Sequence, residues 1–103
     1  MPFVLRVIQR YPLEHRTAFM DLEAKFAAME QRRKDFPKGR RSQPLAGYEP
    51  SNTHIWECEF PSLAQIQAFL EMVSADPEHE ALFRQQVPYM LEAHTEIQEI
   101  LKF

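Results

Sequence analysis

Two of the four histidines stand beside predicted strands, and they are the candidates for proton transfer. His54 opens a strand predicted over residues 54–60, and His94 directly precedes the last predicted strand. Because imidazole titrates near neutral pH, either side chain could act as a general acid or base beside a cavity. The competing interpretation, which the sequence favours, is that both are hydrogen-bonded structural histidines.

The sequence predicts no metal site and no cofactor. None of the histidines has a partner at the spacing of an HExxH motif, and the single cysteine, Cys58, cannot form a CxxC pair. With only two glycines, the chain lacks the glycine-rich loops that hold phosphate groups. Nothing near Cys58 in sequence would lower the pKa of its thiol, so we predict a small buried hydrophobe.

Two carboxylates, Glu57 and Glu59, share one face of the strand over 54–60. Paired carboxylates can divide acid and base roles when their environments differ. The competing and favoured interpretation is ion pairing with Arg6 and Arg10, across the sheet or across a dimer. The predicted ligand-binding residues are Arg6, Arg10, Glu57, Glu59, Tyr89 and His94.

Aromatic side chains could supply the walls of a small-molecule pocket, as they do in many binding sites. The candidates are Tyr11, Tyr48, Trp56 and Tyr89. Trp56 falls on the apolar side of its strand, so packing against a helix is the favoured interpretation for it.

The strongest charge cluster lies between the first long helix and the next strand. Its basic side chains could bind nucleic acid, anionic lipid or a phosphorylated ligand. Apart from Phe36 the segment has no aromatic residue to stack on bases, so a solvated loop is favoured. The predicted anion-binding residues are Arg32, Arg33, Lys34, Lys38, Arg40 and Arg41.

Length and composition predict one globular domain over residues 1–103, with a net charge of -3 and 45% hydrophobic residues. No apolar run reaches the roughly 18 residues that a membrane span needs, and the first residues lack the features of a signal peptide. A single cysteine excludes an internal disulfide framework, so we expect a reducing, cytoplasmic compartment.

Periodicity and turn residues predict alternating strands and helices. In chain order they are a strand over 3–10, a helix over 13–35, a weaker strand over 40–48 that Pro44 interrupts, a strand over 54–60, a helix that Ser62 caps, a third helix that Asp76 and Pro77 begin and Pro88 kinks or divides, and a strand over 95–103. The last segment could also be a helix, but its alternation favours a strand.

The first long helix has one buried stripe in this interpretation. The apolar residues at helical spacing are Phe19, Leu22, Phe26 and Met29. The charged residues expected to lie mostly off that stripe are Asp21, Glu23, Lys25 and Glu30.

This order of elements predicts an α+β, ferredoxin-like βαββαβ fold, with a four-stranded antiparallel sheet and the helices on one face. Strand alternation then assigns the two faces. The side expected to face the helices holds Phe3, Leu5, Val7, Trp56, Cys58, Phe60, Ile97, Leu101 and Phe103. The opposite side holds Val4, Arg6, Ile8, Arg10, Ile55, Glu57, Glu59, Glu96, Gln98 and Ile100. Since the second side mixes aliphatic and charged residues, we expect it to pack against a second copy of the chain.

Residues 47–63 resemble NIPSNAP-like proteins, and the run over 75–78 resembles a small-Asp-Pro-Glu turn common in that family. The resemblance implies the dimeric α/β barrel superfamily, in which two ferredoxin-like domains pair sheet to sheet and enclose a cavity. NIPSNAP-like proteins offer no agreed catalytic motif to transfer. Haem-degrading members of the superfamily use an asparagine on the first strand and a tryptophan on the second helix. This chain has Gln9 on that strand and no tryptophan on that helix, which argues against haem degradation.

The functional hypothesis is a NIPSNAP-like homodimeric domain that binds a small organic molecule near the dimer lumen, with no established reaction. One alternative is a cofactor-independent monooxygenase or isomerase in which His54 or His94 is the base. A further alternative is a protein or anion interaction module that uses residues 32–41. The sequence alone does not decide whether the chain is an enzyme.

Overall fold

The computed structural model describes residues 2–103. Its strands and helices, in chain order, are β1 (Phe3–Arg10), α1 (Arg16–Arg32), β2 (Arg40–Ser42), β3 (Thr53–Phe60), α2 (Leu63–Ala75), α3 (Pro77–Gln86) and β4 (Glu92–Glu99). Short 3₁₀ helices cover Leu13–His15 and Val87–Tyr89.

The four strands form one sheet in the order β2-β3-β1-β4, and every neighbouring pair is antiparallel. Strand β1 is central, with β3 on one side and β4 on the other. In its register Arg6 lies opposite Glu57 of β3 and Glu96 of β4. The predicted ferredoxin-like α+β fold is confirmed.

The first helix is shorter than the predicted span of 13–35. Its first turn is the 3₁₀ helix Leu13–His15, which follows Pro12, and α1 itself begins at Arg16. Arg33 ends the helix because its backbone is extended, although its N–H still donates to the carbonyl oxygen of Met29. The predicted apolar stripe of this helix is buried.

Both edge strands depart from the predicted bounds. Strand β2 stops at Ser42, ahead of Pro44, whose ring nitrogen has no hydrogen for the ladder. Strand β4 covers Glu92–Glu99, so the prediction of 95–103 begins and ends too late. The reason is its partner: β1 begins at Phe3, opposite Glu99, and offers no strand beyond that point.

The predicted turns around α2 and α3 are confirmed. Ser62 caps α2 by accepting a hydrogen bond from the N–H of Gln65. Asp76 caps α3 in the same way through His79, with Pro77 as the first helical residue. The helix ends at Gln86 and continues as the 3₁₀ helix that contains Pro88.

The helices cover one face of the sheet, and the core lies between the two layers. Leu5, Trp56 and Phe60 from the strands pack with Ile66 of α2. A second cluster joins Phe26 and Met29 of α1 with Phe36. Burial of each such side chain contributes about 1.5–3 kcal/mol. Within the described part of the chain, no helix has both the length and the apolar character to span a membrane.

The helical layer leaves β4 uncovered. The side chains of Ala93, Thr95 and Ile97 point to the helix-facing side of the sheet, yet all three are exposed. Leu101 and Phe103, predicted to face the helices, lie beyond the strand and are also exposed. The predicted assignment of faces therefore holds for β1 and β3 and is wrong at the end of the chain.

Candidate functional site

A cavity of about 240 Å³ lies between the sheet and the helices. It is on the helix-facing side, not on the open side that the sequence associates with a dimer lumen. Most of its wall is apolar and aromatic. The wall side chains that matter below are Phe26, Met29, Phe36, Trp56, Phe69 and Phe83.

Trp56 is the largest side chain in the wall. Strand alternation turns it towards the helices, where its indole stacks on Phe69 at 5.6 Å with the ring planes 15° apart. Gly39 makes room for it, because a Cβ there would stand 2.3 Å from the Cε2 atom of the indole. The indole Nε1–H donates to Glu30 Oε1 over 3.1 Å, which gives the aromatic wall a polar neighbour.

Arg41 joins β2 to α1 at the polar end of the cavity. Its Nε donates to Glu23 Oε2 over 2.7 Å, and its Nη1 donates to Glu30 Oε1 over 3.2 Å. Glu23 and Glu30 are seven residues apart, so two helical turns bring both carboxylates to the same face of α1. One guanidinium therefore bridges two carboxylates, and we call these three residues the Arg41 cluster.

Glu23 also links the cluster to α3 and β3. The side-chain Nε2 of Gln86 donates to Glu23 Oε1 over 3.0 Å, and His54 Nε2 lies 3.4 Å from Glu23 Oε2. On its other side, His54 Nδ1 is 3.3 Å from Gln9 Oε1. An Nδ1–H would donate to the amide oxygen of Gln9, and an Nε2–H would donate to the carboxylate of Glu23, so the tautomer decides which contact is the hydrogen bond.

Burial sets the protonation of the charged and titratable groups around the cavity. Desolvation lowers the pKa of His54 below 6.5; Arg41 adds to this effect, and Glu23 opposes it. Desolvation also lowers the pKa of His79. For Arg41, burial disfavours the charge, but hydrogen bonds to Glu30 and Glu23 outweigh burial and raise the pKa. The site thus presents neutral imidazoles beside a permanent guanidinium.

The two histidines predicted as proton-transfer candidates do not meet. His54 is buried on the helix-facing side, next to the Arg41 cluster. His94 lies inside β4, not before it, and is exposed on the opposite side, 3.8 Å from Glu96. Of these two histidines only His54 lies near the cavity, where it contacts Gln9 and Glu23, while a third histidine, His79, lines the cavity itself.

The predicted ligand-binding residues of the strands form ion pairs on the open side of the sheet. Arg6 lies 3.3 Å from Glu57 and 3.1 Å from Glu96, while Arg40 of β2 also pairs with Glu57. The register places these four residues in one row across all four strands, with alternating charge. Arg10 pairs separately with Glu92 at 3.3 Å, and Glu59 is exposed. We call the four-residue row the charge ladder.

The tyrosines predicted as pocket walls are scattered. Tyr11 is buried and stacks on Phe19 at 4.8 Å, and Tyr48 is exposed. Tyr89 contacts His15, with ring centroids 5.3 Å apart. Of the predicted aromatic set, Trp56 alone is part of the cavity wall. Cys58 is half-buried, and burial raises the pKa of its thiol, which agrees with the absence of a nucleophilic role.

Five of the six basic residues of 32–41 contact neighbouring groups, and the set points in different directions. Arg32 pairs with Glu78, and Arg33 bridges Asp35 and Asp76. Lys38 donates to the carbonyl oxygen of Arg33 at the end of α1. Arg40 and Arg41 face opposite sides of the sheet, and Lys34 is exposed. Anion binding by this segment stays a prediction, and the geometry gives it no common site.

The sequence interpretation missed the residues that shape the polar end of the cavity. Glu23 and Glu30 were expected mostly off the buried stripe of α1, but Glu23 is only 7% exposed and Glu30 is also inside the protein. Glu23 directly follows Leu22, and Glu30 directly follows Met29. This position next to two residues of the buried stripe was the sequence signal that could have indicated their burial. Gln86 gave no comparable signal. Across residues 2–103 no cluster of three or more His, Cys, Asp or Glu is arranged to hold a metal ion.

No family model matches this sequence, and no curated protein matches it. Solved structures do match. A NIPSNAP family protein from Agrobacterium tumefaciens superposes with a TM-score of 0.81 at 14% identity, over 99% of this chain and 88% of that one. A NIPSNAP domain protein from Burkholderia xenovorans superposes with a TM-score of 0.78 at 16% identity, over 100% of this chain and 97% of that one. An antibiotic biosynthesis monooxygenase superposes with a TM-score of 0.73 at 10% identity, over 99% of this chain and 100% of that one.

Identities this low show a shared fold. The predicted resemblance to NIPSNAP-like proteins is confirmed at the level of the fold.

Replacing Arg41 by methionine tests the contribution of the Arg41 cluster to stability. The substitution leaves two carboxylates without their shared cation, so we expect the free energy of unfolding to fall by roughly 2–4 kcal/mol. Arg40→Met is the matched control: Arg40 is 82% exposed against 23% for Arg41, and exposed pairs contribute up to about 1 kcal/mol. Urea unfolding of the two variants measures the difference. Equal losses would show that the Arg41 cluster has no special weight.

The lowered pKa values of His54 and His79 predict a pH dependence of stability. Below the ordinary pKa of 6.5 these two histidines are protonated in the unfolded chain but stay neutral in the folded chain until the pH is lower. The free energy of unfolding should therefore decrease as the pH falls from about 7 to 5.5, by up to about 1.4 kcal/mol per pH unit for each histidine. His54→Gln and His79→Gln should each flatten this slope in urea unfolding. A slope that neither variant changes would contradict the assignment.

Proposed function

We propose that this chain is a NIPSNAP-like homodimeric domain that binds a small, largely apolar organic molecule in the cavity between its sheet and its helices. The observation that carries the proposal is the wall itself. It is aromatic and apolar over most of its area and has one polar end, which is the usual composition of a small-molecule site. A volume of about 240 Å³ is below the roughly 300–1,000 Å³ of drug-sized sites, so the ligand should contain a single ring or its equivalent.

The location differs from the one expected from sequence. The charge ladder occupies the open side of the sheet, where Arg6 already has two carboxylate partners. A ligand in the lumen would have to displace these pairs. The cavity on the other side needs no such rearrangement, because its polar groups bond to one another around its edge.

A second candidate is an enzyme without a cofactor, such as a monooxygenase or isomerase. The observation in its favour is His54, a neutral imidazole in contact with Glu23 beside the cavity. A carboxylate next to an imidazole can stabilise the imidazolium that proton abstraction creates. The fold shared with an antibiotic biosynthesis monooxygenase is compatible with this candidate.

The homodimer is supported by what the helices leave uncovered. The open side of the sheet carries the partly exposed Val4 among its ion pairs, whereas Ile8 and Ile55 on that side are already buried within one chain, and most of β4 is exposed. Exposed apolar side chains also follow β4, among them Leu101 and Phe103. A second copy packed against this side would remove these exposed apolar side chains from water. A cytoplasmic compartment stays a prediction from the cysteine content.

Filling the cavity should abolish binding. The probe is 2-phenylethanol, and the readout is the indole Nε1–H resonance of Trp56, the one tryptophan in the chain. Titration should shift this resonance saturably in the wild type and leave it unmoved in Val73→Phe, because Val73 lines the cavity. Val87→Phe, at an exposed position, is the matched control and should behave as the wild type. A wild-type resonance that does not respond, or an equal response in Val73→Phe, would refute the proposed site.

A charged substitution on the open side should separate the dimer. Val4 lies opposite Glu59 on β3, so Val4→Lys gains a favourable neighbour within the monomer and buries a charge only in the dimer. We expect light scattering after size-exclusion chromatography to give twice 12.2 kDa for the wild type and for the control Val87→Lys. Val4→Lys should give the monomer mass at micromolar concentration. A monomeric wild type, or a dimeric Val4→Lys, would rule out this interface.

A further inference from the structure

The polar end of the cavity contains more negative than positive charge. Glu23 and Glu30 face one guanidinium, that of Arg41, so the Arg41 cluster has one negative charge in excess when both carboxylates are ionised. The neighbouring imidazoles of His54 and His79 do not balance it, because desolvation favours their neutral forms. Buried charge is stable only when it is paired, and this excess has no partner within the cluster.

The same region is short of hydrogen-bond donors. Gln86 is fully buried in the cavity wall, and its Oε1 has no partner among residues 2–103. His54, 3% exposed, has an Nε2 without a hydrogen-bond partner in the same part of the chain. That Nε2 lies 3.4 Å from Glu23 Oε2, and His54 stands behind the cavity wall without lining it. The amide oxygen of Gln86 would gain from a donor that the protein does not supply.

The aromatic wall adds an independent preference for a cation. Trp56 and Phe69 form a stacked pair, and Phe36 and Phe83 complete the lining near them. The faces of aromatic rings carry partial negative charge and attract ammonium groups, most strongly where water is excluded. An anionic ligand would find no comparable group, because the guanidinium of Arg41 is already held by two carboxylates.

We propose that the natural ligand of the cavity is a small primary amine with an aromatic or branched apolar body. This inference rests on the proposed function and names the chemical class of its ligand. The ammonium group supplies the missing positive charge to Glu30 and Glu23, and one of its N–H groups supplies the donor that Gln86 Oε1 lacks. The apolar body occupies the volume between Trp56 and the helices.

Three probes of matched shape test the charge preference: 2-phenylethylamine, 2-phenylethanol and 3-phenylpropanoate. Each is titrated into the full chain at pH 7 while the Trp56 indole resonance is followed. We expect the amine to bind at least about tenfold more tightly than the alcohol, which corresponds to about 1.4 kcal/mol. The carboxylate should bind more weakly than the alcohol.

Variants locate the source of the preference. Glu30→Gln makes the Arg41 cluster neutral and keeps an oxygen for the indole N–H, so the amine and the alcohol should then bind about equally. Glu23→Gln is the second variant if Glu30→Gln does not fold. Glu71→Gln, at an exposed position of α2 that does not line the cavity, removes the same charge and should retain the full preference.

The outcomes separate this inference from the function on which it rests. Saturable binding of the alcohol without a preference for the amine would overturn the inference and leave the cavity as a binding site. Tighter binding of the carboxylate would also overturn it. If none of the three probes moved the indole resonance, the proposed site itself would fail. An amine preference that persists in Glu30→Gln and Glu23→Gln would show that its source lies outside the Arg41 cluster.

Discussion

The guanidinium of Arg41 holds together parts of the fold that are distant in sequence. It comes from β2, a strand of three residues at the edge of the sheet, and it bonds to two carboxylates of α1. Through Glu23 the same group connects to Gln86 of α3 and His54 of β3. Side chains from β2, α1, α3 and β3 therefore meet at the Arg41 guanidinium. They surround it without filling the space beside Trp56, and a cavity remains there.

The alternation of one short strand separates the charge ladder from the Arg41 cluster. Arg40 and Arg41 are consecutive, yet the first joins the charge ladder on the open side and the second joins the cluster by the cavity. The ladder satisfies charge on a side that we propose a second copy covers. In the cluster two carboxylates share one guanidinium, on a side that the helices already cover. The ladder and the cluster differ in charge balance because of their geometry. Cross-strand neighbours pair one acid with one base, whereas two successive turns of α1 place two carboxylates next to one arginine.

Local rules recovered much of the fold. The caps at Ser62 and Asp76 and the break at Pro88 depend on residues within one turn of each other, and the structure contains all of them. Strand alternation also gave the ion pair of Arg6 with Glu57 as one of several expected pairings. The end of β4 did not, because a strand extends as far as its partner does, and the beginning of β1 is remote in sequence from Glu99.

By itself the sequence determined the order of elements, their capping and the two faces of the central strands, because periodicity and turn chemistry are local. It did not determine where the site lies. Glu23 and Glu30 look like surface acids on an amphipathic helix until β2 brings Arg41 to them, and Gln86 looks like any polar residue near a helix end. Only the tertiary structure decided that these groups share a buried pocket wall, since the energy that keeps charge inside a protein comes from partners that the chain order does not place side by side.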